Sequence, residues 1–202
     1  MKNTFAAVIL AAGYSSRIGE FKPLLPIGEK ATIYHIIDSF LNVGIKDIYV
    51  VTGYRGNELE AVLGAKNVKS IFNPRFPDGM FSSIQAGCRA LKDSAKAFFL
   101  APVDTPLFEV RTINAMIERY SSGTEQIIFP SYARRRGHPA LISAAIIPHI
   151  LNADVKSNLR DILENHGDYC YVTVEDKGIL LDMDVLVDYE RLREYYKPRQ
   201  TM

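Results

Sequence analysis

The sequence predicts an α/β fold of three layers, α/β/α, built on a mostly parallel, doubly wound sheet of Rossmann-like character. Three observations predict it. Short apolar runs rich in β-branched residues alternate with segments whose apolar residues recur at helical spacing. The first run, Phe5 to Ala11, is apolar without interruption, as a strand buried on both faces requires. Residues able to do chemistry fall just after the ends of several runs, where ligands sit on an open parallel sheet.

Taken in order, the first run breaks into a small-residue loop around Gly13. Ile33, Ile36, Ile37, Phe40 and Leu41 then predict a helix ended by Gly44. Asp47 to Thr52 is a second strand, Asn57 to Leu63 a short helix, and Val68 to Phe72 a third strand. Asn73 to Met80 carries Pro74, Pro77 and Gly79 and reads as a loop without regular structure. Phe81, Ile84, Cys88 and Leu91 mark a helix, and Ala97 to Val103 a fourth strand that ends in Asp104. Val110, Ile113, Ile117 and Tyr120 stripe the next helix, followed by a strand from Gln126 to Phe129. After Pro130 the pattern changes: Tyr132 to Pro139 is a basic, turn-like excursion and Ala140 to Ile142 a short return strand. Ser157 is the expected N-cap of a helix carrying Leu159, Ile162 and Leu163, closed by Gly167. Tyr169 to Val174 and Ile179 to Asp182 read as short strands, and Val185, Tyr189, Leu192 and Tyr196 stripe a final helix. With no repeat, low-complexity segment or linker, one domain over residues 1–202 is expected.

Bulk properties narrow the function. A chain of 202 residues with 48% apolar content can bury a sizeable core. The net charge of +1, from 24 basic and 23 acidic residues, provides no global field for nucleic acid or an anionic membrane. Any anion must therefore be held locally. Cys88 and Cys170 form neither a metal-type spacing nor a disulfide framework, which fits a reducing cytoplasm. The run from Phe5 to Ala12 is too short to span a bilayer and lacks a signal-peptide layout. A soluble cytoplasmic protein with no nucleic-acid or membrane partner is expected.

Four constellations carry chemical interest. Leu10-Ala11-Ala12-Gly13 lets backbone N–H groups approach an anion, and Arg17 and Lys22 follow as fixed cations. The spacing matches neither the P-loop nor the dinucleotide fingerprint, which argues against a nicotinamide-dependent oxidoreductase. Read by itself, the stretch is either a phosphate site or an ordinary strand-to-helix turn with surface charges. Asp104, Asp182 and Asp184 place carboxylates at expected strand ends. Such a set suits Mg²⁺ better than zinc, though a lone Asp at such a place also serves as a cap. Asn73, Gly79, Ser82 and Ser83 offer N–H groups and hydroxyls that read a nucleoside edge or cap a helix. Arg136 and His138, in the run Arg134 to Pro139, either form a solvated hairpin tip or receive the phosphate of a second substrate. His35, His149 and His166 read as structural, and Cys88 as packing.

These residues, in this order, resemble the MobA-like nucleotidyltransferases, a branch of the GT-A-like superfamily. The resemblance rests on Leu10 to Gly13 with Ser16 to Gly19, Lys22 to Leu25, Asp78 to Gly87, Val103 to Pro106, Arg136 to Pro139, and Asp182 to Asp184. It spans nearly the whole chain and implies a GT-A-like fold. Within the family the chain looks most similar to molybdenum cofactor cytidylyltransferases, through Leu-Ala-Ala-Gly and Arg136-Gly137-His138-Pro139. The resemblance implies transfer of CMP from CTP to the phosphate of molybdopterin, with a molybdoenzyme as client. Leu10, Ala11, Ala12 and Gly13 would hold base and ribose, and Arg17 and Lys22 the triphosphate. Gly79, Ser82 and Ser83 would complete the pocket. Asp104 and Asp184, or Asp182 in place of the latter, would ligate Mg²⁺. One departure stands out: the family's Asp-Thr-Pro-Glu-Asp is here Asp184-Val185-Leu186-Val187-Asp188. Rival readings are a sugar- or alcohol-phosphate acceptor, or a catalytically silent nucleotide-binding accessory.

Overall fold

The computed structural model describes residues 3–64, 68–91 and 94–197; the ends of the expected 1–202 domain lie outside them. Strand β1 (Asn3–Leu10) is central, and Ala6 to Ile9 are fully buried. The hairpin β2 (Pro26–Ile27) and β3 (Lys30–Ala31) turns at Gly28, whose φ of 61° suits glycine. Then follow α1 (Thr32–Asn42), β4 (Ile48–Thr52), α2 (Gly56–Leu63), β5 (Lys69–Phe72), α3 (Met80–Leu91), β6 (Ala95–Pro102) and α4 (Val110–Ser122). The second half holds β7 (Ile127–Tyr132), β8 (Arg135–Arg136), β9 (Ala140–Ser143), α5 (Ile147–Asn152), α6 (Leu159–His166), β10 (Tyr169–Thr173) and α7 (Leu186–Tyr196).

The main sheet runs β10-β7-β9-β6-β1-β4-β5, with β8 paired to β7. β1 is parallel to both neighbours, Leu10 lying opposite Val51 and Pro102. β9 is antiparallel to β6 and β7, so the return strand read from Ala140 to Ile142 is wedged between parallel strands. Helices cover both faces, as the alternation predicts. One face packs Ile33, Ile37 and Phe40 of α1, Leu59 of α2 and Ile113 of α4. The other packs Phe81, Ile84 and Cys88 of α3, Ile150 of α5 and Ile162 of α6. Each such side chain contributes about 1.5–3 kcal/mol on burial. α3 lies so close to the sheet that a Cβ on Gly87 would collide with Val8 Cγ1. A third cluster, Ile18, Ile27, Leu107, Met183, Tyr189 and Leu192, ties α7 and the segment before it to the loop after β1.

The structure corrects several expectations. Ile179 to Asp182 is not a strand: Lys177 to Leu180 makes a single 3-10 turn, because Asp176 Oδ1 accepts the N–H of Gly178 at 2.9 Å. The N-cap of α6 is Asn158, whose Oδ1 accepts from the Arg160 N–H, while Ser157 sits in the preceding turn. Phe76–Asp78, with Pro77 as its second residue, makes a 3-10 turn within the loop expected to be irregular. Leu41 faces solvent rather than the core. β7 continues through Pro130 to Tyr132 and turns on Ala133 and Arg134, whose φ values of 48° and 63° form a tight hairpin. α5 had no sequence signal, being short with Pro148 in its first turn. Among the described residues no helix is long and apolar enough to cross a membrane.

Candidate active site

The carboxyl ends of β1 and β6, the start of α3 and the segment before α7 enclose a cleft of about 350 Å³. Its floor is the loop that leaves β1. Ala11 still donates to the Val51 carbonyl at 2.9 Å, and the Ala12 carbonyl accepts from Tyr54 N–H at 3.1 Å. Ser15 then takes a left-handed φ of 56°, its carbonyl accepts from Gly19 N–H at 3.2 Å, and its Oγ accepts from Lys22 N–H at 3.2 Å. The loop is thereby closed on itself, with Arg17 outside and Lys22 inside. Nothing lies within 4 Å of where a Cβ would stand on Gly13, so that face is open.

Lys22 is only 8% exposed. Its Nζ donates to Asp184 Oδ1 at 2.9 Å and stands 3.9 Å from Asp104 Oδ2. The other oxygen of Asp184 meets Arg17 at 2.8 Å. The two cations read as phosphate ligands therefore converge on one carboxylate in the free protein. Lys22 first, then Arg17, holds the Asp184 carboxyl below the usual carboxylate range. Asp104 behaves oppositely. Burial raises its pKa; Lys22 offsets part of this, and the charges of Asp184 and Asp182 add to the rise. Its carbonyl also accepts from Met183 N–H at 3.0 Å, which fastens the Asp182 to Asp184 segment beside β6. Two carboxylates are thus held near one cation, one of them in need of more positive charge.

The loop before α3 supplies the opposite wall. Gly79 takes φ 100° and ψ 179°, a conformation open to glycine alone, and lines the cleft with Met80 and Ser83. Asn73 and Ser82, also read as pocket residues, lie behind that wall. Asn73 Nδ2 donates to Ser82 Oγ at 2.9 Å and to Ser83 Oγ at 3.0 Å, and its Oδ1 accepts from Arg75 N–H. Neither Asn73 nor Ser82 is among the residues that line the cleft, and these hydrogen bonds hold the wall together. Tyr14 and Phe76, which the sequence reading did not single out, line the same cleft with ring centroids 5.2 Å apart. An aromatic directly after Gly13 was the available signal.

Of the remaining candidates, Leu10, Ala11, Ala12, Arg17, Lys22, Asp104 and Asp184 all line the cleft; Asp182 is exposed outside it. Arg136 and His138 are not among the lining residues. Arg136 is stacked over the Phe129 ring, its guanidinium carbon 4.5 Å from the centroid, and His138 donates its N–H to the Ile179 carbonyl. Both stand beyond the Ala140 end of β9, which the antiparallel register places at the same sheet edge as Asp104. Among the described residues no group of three or more His, Cys, Asp or Glu forms a metal cage. Asp104 and Asp184 nevertheless fit a hard cation, since Mg²⁺ usually takes one or two carboxylates and completes its shell with phosphate oxygens and water.

A strand-end cleft with a glycine-bearing loop, two cations and two carboxylates is the apparatus of a nucleotidyltransferase. The family model for the MobA-like NTP transferase domain matches residues 7–169, and the chain belongs to that family. It is 32% identical over 197 residues to the molybdenum cofactor cytidylyltransferase of Escherichia coli (strain K12), covering 94% of this chain and 95% of that one. It is 23% identical to the bifunctional protein GlmU of Bacillus cytotoxicus, over 98% of this chain but 44% of that protein, so it spans less than half of that relative. Among solved structures, a nucleotidyl transferase from Methanothermobacter thermautotroptrophicus superposes with a TM-score of 0.83 at 23% identity, over 98% of this chain and 99% of that one. The mostly parallel sheet flanked by helices is the fold of these nucleotidyltransferases.

Proposed function

We propose that this nucleotidyltransferase, acting as a single domain in the cytoplasm, moves CMP from CTP onto the phosphate of molybdopterin and releases pyrophosphate. The observation that carries the reading is the convergence of Lys22, Arg17, Asp104 and Asp184 in one cleft beside the loop Leu10 to Gly13. The likeness over nearly the full length to the Escherichia coli cytidylyltransferase supports the choice of CTP and molybdopterin.

The chemistry is one displacement. An oxygen of the acceptor phosphate forms a bond to the α-phosphorus of CTP. The bond from that phosphorus to the oxygen bridging to the β-phosphate breaks, and pyrophosphate leaves with the electron pair. The acceptor is already ionised near neutral pH, so no dedicated base is needed, and positioning with charge neutralisation supplies the rate. Lys22 and Arg17 exchange Asp184 for the triphosphate oxygens. Gly79 and Ser83 hold the nucleoside against the loop after β1. Asp104 and Asp184 would hold Mg²⁺, which when bound neutralises charge on the phosphates and the leaving pyrophosphate. Pyrophosphate release by the purified protein, with CTP and molybdopterin supplied together, tests the reading. Release with a sugar phosphate in place of molybdopterin would move the acceptor class instead.

A further inference from the structure

Asp184 lies between the two cations of the cleft, one carboxylate oxygen 2.9 Å from Lys22 Nζ and the other 2.8 Å from Arg17. Both sides of the Lys22 contact are fixed by the chain around them. Lys22 opens the 3-10 turn Lys22–Leu24, its own N–H donates to Ser15 Oγ, and its side chain is largely buried. On the other side, Met183 is fully buried in a cluster with Ile18, Ile27 and Leu107, and its N–H donates to the Asp104 carbonyl. Directly after Asp184, the Val185 N–H donates to the Asp188 carboxylate at the start of α7, and the Tyr189 hydroxyl donates to the Pro26 carbonyl. An ion pair between two long, exposed side chains contributes little, because ordering them costs entropy. Here the short aspartate is positioned before it pairs, and Lys22 is already largely out of water. The contact is therefore a standing feature of the free protein. Arg17, whose side chain is 70% exposed, is the looser of the two arms.

A bare triphosphate meets a poor site in this state. The cations that should receive it are already neutralised. Lys22 Nζ also stands 3.9 Å from Asp104 Oδ2. Drawing it onto phosphate strips counter-charge from two carboxylates at once and sets further negative charge beside them, which is costly for groups out of water. The same two carboxylates suit a hard divalent cation. With both engaged by such an ion, neither needs Lys22, and Lys22 and Arg17 are released toward phosphate.

We infer that Asp184 is a latch: it occupies Lys22 and Arg17 in the free protein as an internal stand-in for phosphate, and yields them to a nucleoside triphosphate only when a divalent cation takes its carboxylate. The inference rests on the reading above that this cleft holds the triphosphate. What it adds is that the cleft refuses metal-free nucleotide and other bare polyphosphates through one aspartate. Asp184→Asn, which keeps the shape and removes the charge, then gains metal-free affinity. A residue that served only as a metal ligand gives no such gain.

The test is isothermal titration of CTP and of inorganic tripolyphosphate, each in EDTA and in Mg²⁺, into wild type, Asp184→Asn, Lys22→Met and the double variant. Tm is recorded for each, and Asp184→Ser carries the same expectation as Asp184→Asn should the amide disturb folding. A latch shut in about nine molecules of ten lowers apparent affinity about 10-fold. Asp184→Asn is therefore expected to bind both ligands in EDTA about 10-fold or more tightly than wild type, and to gain less from Mg²⁺. In the Lys22→Met background the same substitution gains clearly less, because no ammonium is there to release. A folded Asp184→Asn protein with metal-free affinity within twofold of wild type overturns the latch, while the triphosphate reading stands if wild type binds CTP with Mg²⁺. An equal gain with and without Lys22 reflects general removal of negative charge and also overturns it. If neither wild type nor variant binds CTP in either buffer, the latch and the reading beneath it both fall.

Discussion

Lys22→Met removes the charge at the centre of the cleft while keeping most of the side chain's volume. In the free protein this ammonium serves two carboxylates, at 2.9 Å and 3.9 Å. At an effective dielectric near 20, the closer pair is worth about 6 kcal/mol before desolvation and screening. The net figure is far smaller. Breaking a fully buried pair costs about 3–5 kcal/mol. Here Asp184 is 32% exposed and keeps Arg17, so a loss of about 1–3 kcal/mol in folding stability is expected. Asp104, with its pKa raised by burial and by its acidic neighbours, carries much of that loss, because Lys22 is what offsets its charge. Adding Asp104→Asn to Lys22→Met should therefore recover stability, giving a coupling of about 1 kcal/mol in a double-mutant cycle. Urea unfolding of the four proteins reads this through the midpoint at constant slope. The same single variant should weaken CTP binding by about 10-fold or more, as expected for a lost charge-assisted contact. An unchanged midpoint together with CTP affinity within twofold of wild type would contradict both the ion-pair and the triphosphate roles of Lys22.

Other consequences are separable. Asp104→Asn should lower turnover by about 100-fold or more without lowering Tm, because the folded state disfavours the ionised form; a parallel fall in Tm would contradict this. Gly79→Ala meets no steric obstacle but forces a non-glycine residue to φ 100°, so about 1–3 kcal/mol of strain should appear as lost stability or weakened CTP binding, read by urea unfolding and isothermal titration. Asp176, fully buried, accepts from Glu109 N–H, the Thr112 hydroxyl and Gly178 N–H; Asp176→Ala strands all three and should cost about 2 kcal/mol or more. Burial lowers the pKa of His35, while its Nε2 donates to the Ile27 carbonyl. A depressed pKa means that its contribution is complete above the unfolded value of about 6.5 and is lost as pH falls below it. The drop in Tm between pH 7.5 and pH 5 should therefore be smaller in His35→Gln than in wild type.

Local pattern reveals what local physics decides. The unbroken apolar run before Gly13 has the composition and length of a strand buried on both faces, and the small residues after it suit a loop. Asp104 announced itself as a carboxylate where an apolar strand meets solvent. What local pattern does not carry is adjacency. Asp184 reaches Lys22 across 162 residues because Met183 and Leu192 pack against Ile18 and Ile27, a contact written in no periodicity. Asn73 and Ser82 have the residue types of ligand-facing groups, and only the fold shows their hydrogen bonds spent on each other. Asp176 is by residue type a turn former beside Gly178; its burial and its bonds to Glu109 and Thr112 depend on how that turn docks. The strand expected at Ile179 to Asp182 failed for the same reason, since the buried cap at Asp176 outweighed a short apolar run.

On the proposed function, one cleft holds the triphosphate through Lys22 and Arg17 while an ionised acceptor phosphate attacks. Purified protein incubated with Mg²⁺, CTP and molybdopterin should release one pyrophosphate for each CMP joined to the acceptor, and Asp104→Ala and Lys22→Ala should suppress both products together. Wild-type protein that binds CTP and molybdopterin yet forms neither product, or variants that match wild type, would contradict the account.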